Sequence, residues 1–258
     1  MINYIREVFT RKDLLIYLTK SGLKAEHKNS FLGYFWWLLD PLLGALIYYF
    51  LVVIVLGRGG ENFAVYLVIG QVAWKWASTA VGQASRAILQ YSSIIQQVSL
   101  PKIIFPLTKT VAQLFNFLFG LIVIAIFLVI FKVVPEWYVV FLPFVILVQL
   151  LFLMAIGLAV SYVSVFIRDV SNFLGHFMRL WFYASPVIWE GSRLPEGYKW
   201  IETFNPMAYI LNGYRDVLMY GQMPNIGVLS SIGALSLGAV FSLVLFYNRN
   251  EHKIIKAL

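Results

Sequence analysis

The sequence predicts an all-α integral membrane protein: six transmembrane helices, an N-terminal interfacial amphipathic helix, and a re-entrant outer hairpin before the last helix. Three observations carry this. Only 12% of the 258 residues are charged, against about 25% in a soluble domain. Apolar runs long enough to cross a hydrocarbon layer of about 30 Å recur along the chain. The stretch Phe166–Asp216 is apolar and aromatic, yet Pro186, Pro195 and Pro206, glycines at 191, 197 and 213 and several charges interrupt it. Proline removes a backbone donor and clashes with the preceding turn. Irregular backbone at membrane depth survives only where protein or water covers it. One span ending near Trp189, then an outer hairpin over 190–225 that dips back and returns, satisfies both constraints.

Residues 1–30 are basic. Ile2, Ile5, Phe9 and Ile16 recur near helical spacing, with Arg6, Thr10, Asp13, Lys20 and Lys24 on another face. That pattern predicts a helix lying in the cytoplasmic interface. No uninterrupted apolar core precedes a small-residue cleavage site, so no cleavable signal is expected. The first span, Phe31–Leu56, opens with FLGYFWWLLDP. Trp36 and Trp37 suit an inner aromatic belt, while Asp40 is an acid that must face protein or water. The second span, Ala64 to about Ser85, sets Lys75 between Trp74 and Trp76 near the bilayer centre. An ionisable residue there is either functional or paired with an acid of a neighbouring helix. Residues 86–106 are less apolar and carry Arg86 and Lys102 but no acid. They predict a short cytoplasmic helix, Ser92–Ser99. The third span is Leu107–Phe131 and the fourth Val139–Ile167. A tight inner turn follows at Arg168-Asp169. The fifth span, Asn172–Trp189, contains His176 and Arg179. The sixth is Ile226–Tyr247, followed by a basic tail. Basic residues of the N-terminal segment, of 86–109, of the Arg168 turn and of the tail, with Arg179, then fall on one side. Only Arg58, Lys132, Arg193, Lys199 and Arg215 fall on the other. This bias places both termini in the cytoplasm.

Several chemistries are disfavoured. There is no GxxxxGK[ST] loop, no HExxH and no nucleophile elbow. There is no cysteine, hence no disulfide or thiolate metal site. His27, His176 and His252 are far apart in sequence, and no metal is expected. The net charge of +8 reflects basic loops facing anionic lipid rather than nucleic acid. A membrane-embedded transferase acting on lipid-linked sugars would need an acid or metal constellation, for which only Asp40 and Asp169 qualify. Most aromatics fit interface belts and lipid-facing packing. Tyr48, Tyr49, Trp74, Trp76, Trp181 and Tyr183 lie within spans, where their polar tips need partners. They could line a path for a sugar or polyol chain.

NSFLGYFWWLLDPLLGALIYYF (29–50), YLVIGQVAWKW (66–76), SSIIQQVSLPKIIFPL (92–107), FIRDV (166–170), SPVIW (185–189) and FNPMAYILNGYRD (204–216) together resemble the signatures of type-2 ABC exporter permeases for polysaccharides and polyol phosphates. The set occurs in the family's order and covers essentially the whole chain. The wording of SPVIW and NPMAYILNGYR is most similar to members that move wall teichoic acid, an anionic polyol-phosphate polymer. Capsular and O-antigen polysaccharide exporters are the alternative. The resemblance implies a homodimer in the cell membrane plus two copies of a separate ABC ATPase, which binds ATP and Mg; no cofactor is implied in this chain. It makes 92–99 a coupling helix, with Ser92, Ser93, Ile94, Ile95, Gln96 and Gln97 seated in the ATPase and Arg168 and Asp169 as a second contact. On this reading a lipid-linked polymer passes along Trp37, Asp40, Tyr48, Trp74, Lys75, Trp76, Arg179 and Tyr183. Pro186, Trp189, Pro195, Trp200, Asn205 and Pro206 form an outer gate. Lys75 is a departure, since relatives commonly carry an uncharged residue there.

Overall fold

The computed structural model describes residues 10–27, 31–57, 60, 62–98, 100–191 and 194–258, and these contain helices and irregular segments but no strand. Ile2, Ile5, Arg6, Phe9, Lys28, Arg58, Ser99 and Arg193 of the sequence reading lie outside them. Among the described residues four helices are long and apolar enough to cross a membrane: Trp36–Val55, Ile104–Ile130, Trp137–Phe166 and Ile226–Ala257. In chain order the elements are α1 (Lys12–His27), α2 (Trp36–Tyr49, extended by a π-helical turn over Phe50–Val55), α3 (Phe63–Gln90) and α4 (Ser92–Gln97). Then come α5 (Ile104–Ile130), α6 (Leu142–Phe166), α7 (Val170–Ala184), α8 (Trp200–Thr203), α9 (Pro206–Arg215) and α10 (Ile226–Ala257).

Helix α3 is the axis of the molecule. It packs against α2, α5, α6, α7 and α9. Its small residues make this possible: Ala73, Ala77, Ala80, Ala84 and Ala87 are all buried, and small side chains let helix backbones approach closely. Neighbours answer with their own. A Cβ on Gly120 of α5 would lie 2.5 Å from Val72, and one on Gly157 of α6 3.0 Å from Ala84. Buried Gln149 of α6 donates from Nε2 to the Ala73 carbonyl at 2.9 Å. That bond fixes rotation of α6 against α3 in a zone with few competing partners.

Two expectations change at the spans. Helix α3 has 28 residues but carries Gln71, Lys75, Gln83, Arg86 and Gln90. No stretch of it long enough to span is as apolar as those of the four helices above, and its depth in the molecule comes from packing. The fifth helix ends at Ala184, not near Trp189, because Ser185 turns to extended backbone before Pro186. A residue preceding proline is biased away from helical geometry. The resulting α7 has 15 residues, or about 22 Å, short of a hydrocarbon core of about 30 Å.

Beyond α7 the chain is broken, as its prolines require, into a turn at 185–187, a 3-10 turn at Glu196–Tyr198 and the two short helices α8 and α9. Helix α9 starts on a proline whose missing N–H costs nothing at that position, and Asn205 caps it by accepting from the Met207 amide at 3.1 Å. Its Met207, Ala208, Ile210, Leu211 and Tyr214 are buried against α3, α6 and α10. Gly221 ends the following π-helical turn at φ 57°. A side chain there would be strained and would also meet Glu136 at 2.6 Å.

At the opposite end a second core gathers Ile88, Ile95, Ile103, Phe105, Val165, Tyr247 and Ile254. Helix α1 joins it through Leu14 and Leu18, leaving Ile16 and Tyr17 outward. The apolar face predicted through Ile16 is thus rotated: the helix packs on α5 rather than lying free. Lys102, 4% exposed, pairs with Glu251 of α10 at 3.5 Å, and the same carboxylate accepts from the Lys102 amide at 2.8 Å.

Candidate functional site

One face of α3 stays polar along its second half. Lys75, Thr79, Gln83, Arg86 and Gln90 recur at three- and four-residue intervals, so they share a side of the helix. From Lys75 to Gln90 this stripe runs about 22 Å. Its upper part lines a pocket of about 250 Å³ between α2, α3 and α5. There the Lys75 ammonium meets Asp40 Oδ2 at 2.5 Å, with the two side chains 40% and 45% exposed. Trp76 forms another wall, stacked on Phe117 with ring centroids 4.5 Å apart. Its buried Nε1–H finds no acceptor among the described residues. Trp37 lies on the α2 side, its ring centroid 4.5 Å from that of Phe119. Gln113 and Asn116 add polar groups from α5, with Asn116 donating to Gln113 at 2.9 Å.

Thr79 and Gln83 also line a second pocket of about 560 Å³ between α3, α5 and α7. The two pockets therefore lie side by side along the stripe. The second holds Arg86, Gln90, Lys109 and Ser171 and lies toward the end that carries α4. Together they line one side of α3 with polar groups, beside aromatics at one end and basic residues at the other. Such a lining can hold a chain of hydroxyls or an anion, but offers no nucleophile–base pair. Among the described residues no three His, Asp or Glu gather as metal ligands.

A model of the ABC-2 type transporter family matches residues 13–219. The chain belongs to the ABC-2 type transporter family. The O-antigen export system permease protein RfbA of Myxococcus xanthus is 30% identical over 239 residues, 92% of each chain. A second protein of that name, from Klebsiella pneumoniae, is 30% identical over 212 residues, 82% of each chain. The protein is thus an ABC-2 permease, a membrane-spanning transport subunit.

The predicted path residues of this permease divide. Trp37, Asp40, Lys75 and Trp76 come together in the first pocket. Trp74 points to the other side of α3, edge-on to Trp181 and Phe182 at 5.7 Å each, and Tyr48 sits 5.4 Å from Phe182. Both residues pack in or against the main core of the subunit. Arg179 and Tyr183 are exposed on α7, away from either pocket.

The predicted gate residues divide too. Asn205 is a buried hub: it accepts from Trp181 Nε1 at 2.9 Å and donates to the Ala184 carbonyl and Ser185 Oγ at 3.1 and 2.9 Å. Pro186 is buried, Pro206 begins α9, and Trp189 donates to the Tyr183 carbonyl at 2.9 Å. Pro195 and Trp200 are exposed. Trp200, at 59% exposure, does not supply the buried gate packing expected of it within one subunit.

The expected ATPase contacts are split in the same way. On α4, Ser93, Ile94, Gln96 and Gln97 are exposed and Ser92 is half-buried. Ile95, 4% exposed, packs into its own subunit's core. Adjacent helical side chains point about 100° apart, and here that step sends Ile94 outward and Ile95 into the subunit. Arg168 and Asp169 are both exposed at the α6–α7 turn, and Asp169 occupies the N-cap position without a side-chain capping bond.

Sequence reasoning missed Arg215. Read as an outer-surface cation, it is wholly buried. Its guanidinium lies 3.4 Å from the centroid of the Tyr66 ring. It donates to the Tyr66 and Val187 carbonyls at 3.4 and 3.3 Å and to Asn212 Oδ1 at 3.5 Å. Tyr66 in turn donates its hydroxyl to the Trp189 carbonyl at 2.7 Å. The pair clamps the broken segment after α7 onto α3. Arg215 follows the apolar stretch 207–211 and precedes 217–219, and an ionisable residue between such stretches is the available signal.

Proposed function

We propose that this permease is the membrane subunit of an ATP-driven exporter that carries a lipid-linked, anionic surface polymer outward, with ATP hydrolysed by a separate ATPase. The observation that carries this is the half-exposed Lys75–Asp40 pair on a continuous polar face of α3, inside an otherwise apolar helical body. A charge pair at that depth is tolerated where water or a polar ligand reaches it. Two subunits would separate along α2 and α7, both of which present large apolar residues outward. The end bearing α4 would face the cytoplasm and its ATPase. Ile94, Ser93 and Gln97 would make the contact, and Arg168 and Asp169 would form the second one.

The names of the relatives favour an O-antigen polysaccharide as cargo. The wording of 185–189 and 205–215 favours wall teichoic acid. Basic Arg86 and Lys109 beside the path suit a cargo that carries phosphate in either case. Because the chain has no cysteine, single cysteines report on the path directly. Thr79→Cys and Gln83→Cys should react with a small membrane-impermeant thiol reagent, and cargo polymer should slow the reaction. Complementation of cells lacking an O-antigen permease, or a teichoic acid permease, then selects the cargo. Inert cysteines at both positions would mean that the pocket is closed to water, and the path reading would be wrong.

A further inference from the structure

We propose that a groove between α2, α3 and α5, at the end of the molecule opposite α4, is a binding site for one acyl chain of a membrane phospholipid. Its floor is Ala45 of α2 and Ala64 of α3, both buried. Tyr49 lines it from α2. Phe127 and Phe131 line it from the end of α5, their rings stacked with centroids 6.0 Å apart. The groove holds about 120 Å³, and no charged side chain lines it among the described residues. Leu46 also lines it and is 58% exposed, so the groove opens onto the outside of the helical body. Helices α2 and α5 are both long and apolar enough to span a membrane.

The chemistry of the groove selects its occupant. An apolar cleft of this size holds hydrocarbon rather than water, and left unfilled its walls forfeit dispersion contacts. The groove also changes character along its length. Tyr49, Ala64 and Phe131 line a second cavity of about 330 Å³, which reaches Asn62. The Asn62 side chain is half-buried, makes no capping bond to α3, and has no hydrogen bond among the described residues. Lys132 follows Phe131, exposed and without an ion pair among the described residues. An apolar slot, a carboxamide and a cation thus succeed one another toward the ends of the spans. That order matches the tail, the ester region and the phosphate of a phospholipid, since cations at span ends meet headgroups. A free anion would leave the slot empty, and a bare hydrocarbon would leave Asn62 and Lys132 unused. Beyond Tyr49, α2 turns π-helical over Phe50–Val55, where the Leu56 amide donates to the Leu51 carbonyl at 3.0 Å. Such turns are rare and recur at functional sites. Of those six residues only Val52 is buried. A chain seated between this end of α2 and α5 supplies packing that the protein itself does not.

The test uses the full chain, purified in mild detergent, with phosphatidylglycerol as the probe. Native mass spectrometry counts the phospholipid that remains after loosely held lipid is washed away. The wild type should keep one molecule per subunit, and its melting temperature should rise as phosphatidylglycerol is added back. Ala64→Leu fills the floor of the groove and should abolish both the retained lipid and the rise. Lys132→Gln, on an exposed side chain, should leave the fold intact and weaken retention about fivefold, the share of one basic residue near a membrane surface. In nanodiscs made with phosphatidylglycerol brominated on its chains, electron density of the bromines should lie between Tyr49 and Phe131. Absence of retained lipid, or bromine density elsewhere, overturns the proposal. So does wild-type retention by both Lys132→Gln and a folded Ala64→Leu chain. A polyprenyl phosphate that displaces phosphatidylglycerol from the groove overturns it too, and gives the groove to a different lipid. None of these outcomes depends on whether the chain exports a polymer.

Discussion

Lys75→Gln strands Asp40, whose carboxylate lies 2.5 Å from the Lys75 ammonium. The cost depends on how wet the pocket is. In a dry bilayer centre an unpaired charge costs about 2.5–3.5 kcal/mol. In open water, breaking the pair forfeits only about 0.2–1 kcal/mol. Side-chain exposures of 40% and 45% place the pair between these limits, so a loss of about 1–2 kcal/mol is expected. Asp40→Asn should cost a similar amount, because it strands the ammonium instead. The double variant leaves no charge unpaired and should recover at least half of either loss. For a chain of this size about 1 kcal/mol moves the melting temperature by roughly 2–4 °C. Thermal melting of the purified permease, followed by the monodisperse fraction, therefore reads the cycle: single variants lower by about 2–8 °C, the double variant closer to wild type. If the two losses simply add, the ion pair contributes nothing. Lys75 would then be free to serve cargo alone, as the sequence also allowed.

Three further outcomes follow from the same structure. Arg215→Lys should lower stability by roughly 2–3 kcal/mol, because an ammonium loses the flat stacking on Tyr66 and the forked carbonyl contacts; a melting temperature equal to wild type would remove the clamp. Gly70→Ala should assemble poorly, since its Cβ would lie 2.6 Å from Arg215 Nη2 and 3.0 Å from the Val187 carbonyl oxygen; a normal yield of folded chain would contradict that close approach. Ile95→Asp should unfold the α4 region, by placing a charge in a closed apolar core, whereas Ile94→Asp should leave the permease folded but weaken co-purification of the ATPase proposed above. Equal behaviour of the two variants would refute the division of α4 into an inner and an outer face.

The long apolar runs were legible because length and composition alone define a candidate span. The break after α7 was legible because proline chemistry is local. The end of α7 was misplaced by several residues because an apolar pattern continues through Ile188 and Trp189, and only the Ser185-Pro186 step stops the helix. Helix α3 was seen as a span but not as the axis. Its role depends on Ala and Gly meeting small residues of α5 and α6, and such contacts leave no periodic signal within one segment. The division of Trp74 from Trp76 was equally hidden. Adjacent helical residues point about 100° apart, and the sequence does not say which of the two directions faces a cavity.

Charge shows the same limit, and the structure improves the argument made from it. The positive-inside count weighs every lysine and arginine alike, yet only cations that meet water or headgroups report orientation. Arg215 is wholly buried and held by carbonyls and a tyrosine ring, so it belongs in neither column. Lys102 is buried against Glu251 and drops from the other. What remains at the α4 end still includes Arg86, Lys109, Arg168 and the basic residues of α1 and of the end of α10. The opposite end keeps Lys132 and Lys199 among the described residues, both exposed, and Lys199 is partly offset by Glu196 at 2.5 Å. The asymmetry therefore survives the removal of the structural cations and is sharper for it. The same removal leaves Arg86 and Lys109 as basic residues lining a pocket that no acid lines, at the end of the molecule that carries α4.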